Sequence, residues 1–149
     1  MKRMKRTGPI LLGIAGLVWL SGCAPEPRPI AYGTDACHSC KMTLAEKSFG
    51  GELVTRKGKV YVFDDLNCML SFYHKDVEPG DLAFTLVVDY EHPGQFLNAG
   101  ETFFVKSEAL RSPMAGNVAA FKTYDHAMNY KRKNGGILLG WAEVTTQFK

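Results

Sequence analysis

Twice in this chain, 58 residues apart, a short strand-like run ends in phenylalanine and feeds straight into a capped helix: Val60, Phe63 and Cys68 recur as Val118, Phe121 and His126. In the first copy, Glu52–Arg56 and Lys59–Phe63 flank Lys57-Gly58, which reads as a tight hairpin of Leu, Val, Tyr and Phe strands. Asp64-Asp65 then opens a helix, because an acid accepts from the free N–H groups of a first turn. Leu66, Met69, Leu70 and Tyr73 follow at i, i+3, i+4 and i+7 and form one apolar face. Glu78-Pro79-Gly80-Asp81 ends that unit, and Leu82–Tyr90 reads as a strand. Phe96-Leu97 and Thr102–Lys106 read as shorter strands, and Ser112–Gly116 as a loop. In the second copy, Val118–Phe121 is a strand and Thr123 caps a helix to about Lys133. Gly135-Gly136 stops it, and Ile137–Val144 reads as a final strand. The pattern predicts an α+β fold of two β-β-α-β units with mainly antiparallel sheet. Chance recurrence of common strand-to-helix grammar is the competing account of the repeat.

The segment ahead of these units has a different character. Lys2, Arg3, Lys5 and Arg6 form a positive cluster, and Pro9–Leu20 is an uncharged apolar run of 12 residues. That is short of the ~20 apolar residues a membrane-spanning helix needs, and it fits the apolar region of a signal peptide. It ends in Leu20-Ser21-Gly22-Cys23, which resembles a bacterial lipobox. The reading is a signal peptide over 1–22 and a lipidated Cys23, in a protein exported and anchored to a bacterial membrane facing the periplasm or the cell exterior. An ordinary signal, or a signal anchor with a chance cysteine, is the alternative. Alternating prolines at 25, 27 and 29 then favour an extended spacer over 23–30, which leaves one domain over 31–149. With four of the 18 Lys and Arg inside the first six residues, residues 23–149 carry 14 basic side chains against 15 acidic ones. That balance argues against a nucleic-acid partner, and the length argues against a multi-domain enzyme.

The chemistry concentrates in Cys37-His38-Ser39-Cys40-Lys41-Met42. Two thiols three positions apart reach one ion from a turn. Cys40 and Met42 point to the same side if the chain is extended. Thiolate with thioether is a soft donor set, which selects Cu(I) over hard cations. Met42 therefore turns a generic cysteine pair into a copper hypothesis, unless it is only a core residue. A Cys37–Cys40 disulfide, a thioredoxin-like redox motif, zinc held by Cys37, Cys40, Cys68 and His38 or His126, and covalent haem compete with it. The redox motif lacks its preceding strand, and haem attachment lacks its histidine, since position 41 is lysine. With Cys23 lipidated, three thiols remain, so at least one stands outside any internal disulfide. Cys68 lies off the main apolar face of its helix, on a stripe with Phe72, where it is either a ligand or a buried small hydrophobe. In an extended segment His38 points away from the cysteine pair.

Cys37-x-x-Cys40-x-Met42, then Phe63-Asp64-Asp65-Leu66-Asn67-Cys68-Met69, then Ser112-Pro113-Met114-Ala115-Gly116-Asn117-Val118-Ala119-Ala120-Phe121 resemble, in order, the NosL family of lipoproteins. These are copper chaperones for nitrous oxide reductase. The resemblance spans roughly Tyr32 to Val144, and Gly135-Gly136 with Trp141 fits the family's tail. It implies Cu(I) binding outside the cytoplasm, delivery to the reductase's copper-sulfur centre with its membrane-bound maturation machinery as partner, and a fold similar to the organomercurial lyase core. Cys40 and Met42 match the family's Cys-x-Met ligands. Cys37 matches only members with paired cysteines, and Cys68 a subset. Met114 lies in the shared Pro-Met loop, as ligand or packing residue, and His126 takes the repeat position of Cys68. Ala115 departs from a glycine found in many members.

The expectation is a non-catalytic Cu(I) carrier with Cys37, Cys40 and Met42 as metal residues and Cys68, Met114 and His126 as weaker candidates. Asp64-Asp65 is expected to cap its helix or to offer an acidic contact to a partner. The alternatives are a thiol-disulfide oxidoreductase and an organomercurial-lyase-like enzyme using Cys37 and Cys40.

Overall fold

The computed structural model describes residues 24–148. The expected signal peptide and the lipidation of Cys23 lie outside the described residues. The elements are β1 (Gly51–Thr55), β2 (Val60–Phe63), α1 (Leu66–Asp76), β3 (Leu82–Val88), β4 (Phe96–Asn98), β5 (Phe103–Lys106), β6 (Val118–Phe121), α2 (Tyr124–Asn134), β7 (Ile137–Leu139) and α3 (Trp141–Gln147). They build an α+β fold with two antiparallel sheets, of strand order β2-β1-β3-β4 and β6-β5-β7.

The repeat is real at the level of topology. In each unit a hairpin is followed by a helix, and the third strand joins the far side of the first. β2 and β3 thus run parallel with β1 between them, and β6 and β7 do the same around β5. This is a split β-α-β arrangement made twice. β4 extends the first unit only.

Strand periodicity explains how the units share a core. In β5 and β6, Phe104, Val118 and Ala120 face the larger cluster with Phe63, Leu66, Met69 and Leu70 of the first unit. The alternate residues Val105, Ala119 and Phe121 face a smaller cluster with Ala127 and Tyr130 of α2. The second sheet is therefore apolar on both faces, one toward α2 and the other toward the first unit. The Tyr90 N–H to Ala120 carbonyl bond, 2.9 Å, stitches the sheets together at a parallel bridge.

The helix starts are as the sequence foretells. Asp65 accepts from the Asn67 N–H at 2.8 Å and Thr123 from the His126 N–H at 3.3 Å. Gly135, at φ 74°, takes the left-handed conformation that ends α2. The tail differs from expectation. The run Ile137–Val144 is a strand only to Leu139. Glu143 accepts from the Gly140 N–H, the Val144 N–H closes on the Gly140 carbonyl at 3.0 Å, and the chain turns into α3. Trp141 and Val144, one turn apart, then pack on the larger core.

The spacer is held at its far end. The Arg28 N–H donates to Glu52 Oε1 at 3.0 Å, and its guanidinium forks onto Asp35 at 2.7 and 3.0 Å. Arg28 thus ties the end of the spacer to β1 and to the turn that carries Asp35.

Candidate metal centre

The first sheet leaves β2 at its edge, and the sulfur-rich segment covers it. The His38 N–H donates to the Val62 carbonyl at 2.8 Å. Ala36 and Thr43 bridge, the Cys37 N–H reaches the Met42 carbonyl at 2.8 Å, and the Lys41 N–H reaches the Cys37 carbonyl at 3.0 Å. The segment is a closed turn rather than an extended strand, with Lys41 at φ 65°. The same-side argument for Cys40 and Met42 therefore does not apply here. Met42 is instead 54% exposed at the turn's exit, so it is no core residue.

The turn sets Cys37 and Cys40 over the junction of β2 and α1. There the Sγ atoms of Cys37, Cys40 and Cys68 and a carboxylate oxygen of Asp64 all lie within 4.8 Å of one another. Cys37, Asp64 and Cys68 are buried and Cys40 is half-buried. All three thiols are free. Cys40 Sγ donates to Asp64 Oδ2 at 3.3 Å. Asp64 Oδ1 is buried with no hydrogen-bond partner among the described residues. Burial pushes the Cys37 thiol up, while backbone N–H groups of Asp64, Cys40 and Ser39 pull it the other way. Burial, with Cys37 and Asp64 beside it, pushes the Cys68 thiol strongly up. Three sulfurs and an under-satisfied carboxylate in a closed space are a donor set for a soft or borderline cation.

The aspartate pair divides its labour, and neither member is an exposed acidic contact. Asp65 caps α1 and also grips the distant loop 112–117. Its Oδ2 accepts from the Met114 and Gly116 N–H groups at 3.0 and 3.4 Å, while Asn67 Nδ2 donates to the Met114 carbonyl at 3.2 Å. A Cβ on Gly116 would meet Asp65 Oδ1 at 2.5 Å, so only glycine allows this approach. Met114 is thereby held half-buried on the core cluster that contains Cys37 and Cys68. Ala115 stands at φ 57°, a backbone conformation that favours glycine.

His38 does not point idly outward. Its ring packs edge-on to Tyr61 and Phe72, centroids 4.6 and 4.8 Å away, and Tyr61 and Phe72 are 4.7 Å apart. Burial, with Lys41 and Lys59 adding repulsion, pushes its pKa down. His126 stands outside the sulfur group, with Nδ1 on Glu91.

The structure thus brings Cys37, Cys40 and Cys68 of the candidates together and adds Asp64, which the sequence places only as a helix cap or an acidic contact. The stripe Cys68–Phe72 was the available signal, since it places a thiol and an aromatic ring on one side of α1.

A family model described as NosL matches residues 30–148. The crystal structure of the copper chaperone NosL from Shewanella denitrificans superposes with a TM-score of 0.68 at 24% identity, covering 80% of this chain and 96% of that one. At that identity the likeness speaks for the fold. No curated protein matches the chain.

Proposed function

The chain belongs to the NosL family, and from that premise we propose that it is a Cu(I) carrier that loads and releases the ion at the Cys37–Met42 turn. The observation that carries this reading is the convergence of three free thiols around buried Asp64, directly beneath a turn that presents Met42 to solvent. Thiolates neutralise and hold a soft monovalent cation, and a thioether adds a soft neutral donor without adding charge. Met42 and half-buried Cys40 form the accessible rim through which a partner's ligands exchange for these.

The client we propose is nitrous oxide reductase, reached together with its membrane-bound maturation machinery for assembly of the copper-sulfur centre. The role is transport without turnover. Lipidation of Cys23 would anchor the domain to the outer face of a bacterial membrane, in the periplasm or at the cell exterior. The five residues Cys23–Pro27 reach ~17 Å when extended, which keeps the rim near membrane-bound partners and raises their effective concentration.

Zinc is the second reading, favoured by the number of donors: three cysteines and one aspartate make the four ligands of a tetrahedral site. An anaerobic titration of the soluble domain with Cu(I) and Zn(II), each against a competing chelator, decides between them. Cu(I) is expected to bind far more tightly and to survive excess zinc. Equal retention of zinc would overturn the copper reading. Delivery is tested by transfer of bound copper to metal-free nitrous oxide reductase, where no transfer above that from free chelated copper would remove the client.

A further inference from the structure

The sulfur group has an inside and an outside. Cys40 is half-buried and Met42, two residues on in the same turn, is exposed, whereas Cys37 and Cys68 are shut away, at 0% and 6% exposure. The two inner thiols come from separate elements, the turn and α1, and each has a ring of one aromatic cluster close to it in sequence. His38 follows Cys37, Phe72 stands one turn after Cys68, and both rings pack on Tyr61. Asp64 Oδ1, buried and unpartnered, lies on a residue of the same group and is the independent sign of an unmet cation.

Resting on the copper reading above, we propose that Cys37 and Cys68 form a Cu(I) position of their own, sealed from solvent, which holds copper without Cys40 and Met42 and exchanges it more slowly than the rim. Sulfur ligands lie ~2.3 Å from a metal of this kind, so two sulfurs on one ion stand at most about twice that distance apart, and the inner pair lies within 4.8 Å of each other. The two thiols bind as thiolates and their protons leave to solvent. The cation offsets one of the two negative charges so formed. Cys40 is close enough to both inner sulfurs to pass the ion outward by stepwise exchange. Burial of both inner sulfurs also shields Cu(I) from oxidation until hand-over.

The test loads wild type and the rim variant Cys40→Ser/Met42→Leu with Cu(I) under anaerobic conditions and follows copper loss to a bicinchoninate chelator. Wild type is expected to release copper in a fast and a slow phase. The rim variant, whose changes are at half-buried and exposed positions, is expected to keep one equivalent and to show only the slow phase. Cys68→Ala in an otherwise wild-type chain is expected to lose the slow phase, and Asp64→Asn to weaken it by ~10–100-fold. Circular dichroism confirms folding of each. A folded rim variant that holds no copper beside a loaded wild type overturns the inner position. A slow phase that survives Cys68→Ala overturns it equally. A wild type that takes up no Cu(I) instead overturns the copper reading itself.

Discussion

At the scale of single residues, exposure separates ligation from packing. Met42 has little to lose on truncation because it is largely in solvent. Met42→Leu is therefore expected to leave the melting temperature of the metal-free protein unchanged while lowering Cu(I) affinity. Cys40→Ser is expected to lower that affinity more, since it removes the charge-neutralising thiolate of the rim. Competition titrations with thermal melts check both, and an unchanged affinity in the Cys40 variant would sink the assignment of the turn. Ala115 offers a cleaner measurement. Its left-handed φ of 57° strains any side chain, so Ala115→Gly is expected to stabilise the fold by ~0.5–1 kcal/mol in chemical denaturation. No gain, or a loss, would mean that the gain in unfolded-chain entropy cancels the relief of strain. The cysteine pair was legible in the sequence because ligand spacing is local. Asp64 was not, since a carboxylate beside a helix cap reads the same whether it faces water or three thiols.

At the scale of elements, the loop 112–117 and the start of α1 act as one unit through Asp65. It serves as helix cap and loop clamp with three backbone N–H groups on one carboxylate. Asp65→Ala is expected to cost about 3 kcal/mol, combining a lost cap with unpaired loop donors. Gly116→Ala forces a Cβ onto the same carboxylate and is expected to break the clamp from the other side. The double variant is then expected to cost clearly less than the two single losses added together, because each change removes the other's interaction. Strict additivity in urea denaturation would disprove the clamp. The hairpin, both helix starts and the glycine stop were readable from propensity and capping. The helix Trp141–Gln147 was not, because Ile137–Val144 is apolar enough for a strand. The Gly140–Glu143 closure and the packing of Trp141 on the core decide against it.

At the scale of the whole molecule, two carboxylates tie the spacer to the body and titrate in opposite senses. Burial raises the Glu52 carboxyl above its ordinary value, so the folded state keeps a proton that the unfolded chain has given up. Its contribution is complete below the unfolded value of ~4.3 and is lost as pH rises through the higher folded value. Asp35, held down chiefly by the Arg28 guanidinium, contributes above ~3.9 and is lost on further acidification. Glu52 is therefore expected to add stability as pH falls from neutrality toward ~4.3, against the opposite contribution of His38, whose pKa is lowered. Relative to wild type, Glu52→Gln is expected to lose melting temperature progressively over that window, and an identical pH profile in the variant would exclude the Glu52 contribution. By itself the sequence determined what local rules govern: two copies of a strand-helix grammar, the capped helices, the turn with its thiols, and the family those blocks resemble. The tertiary structure alone decided what meets at long range. It brought Cys68 and Asp64 under a turn about 30 residues away, gathered aromatic rings from three segments against one another, and anchored the 112–117 loop on Asp65. Those meetings come from the packing of two sheets on a shared core, a global minimum of buried surface that no short window of residues encodes.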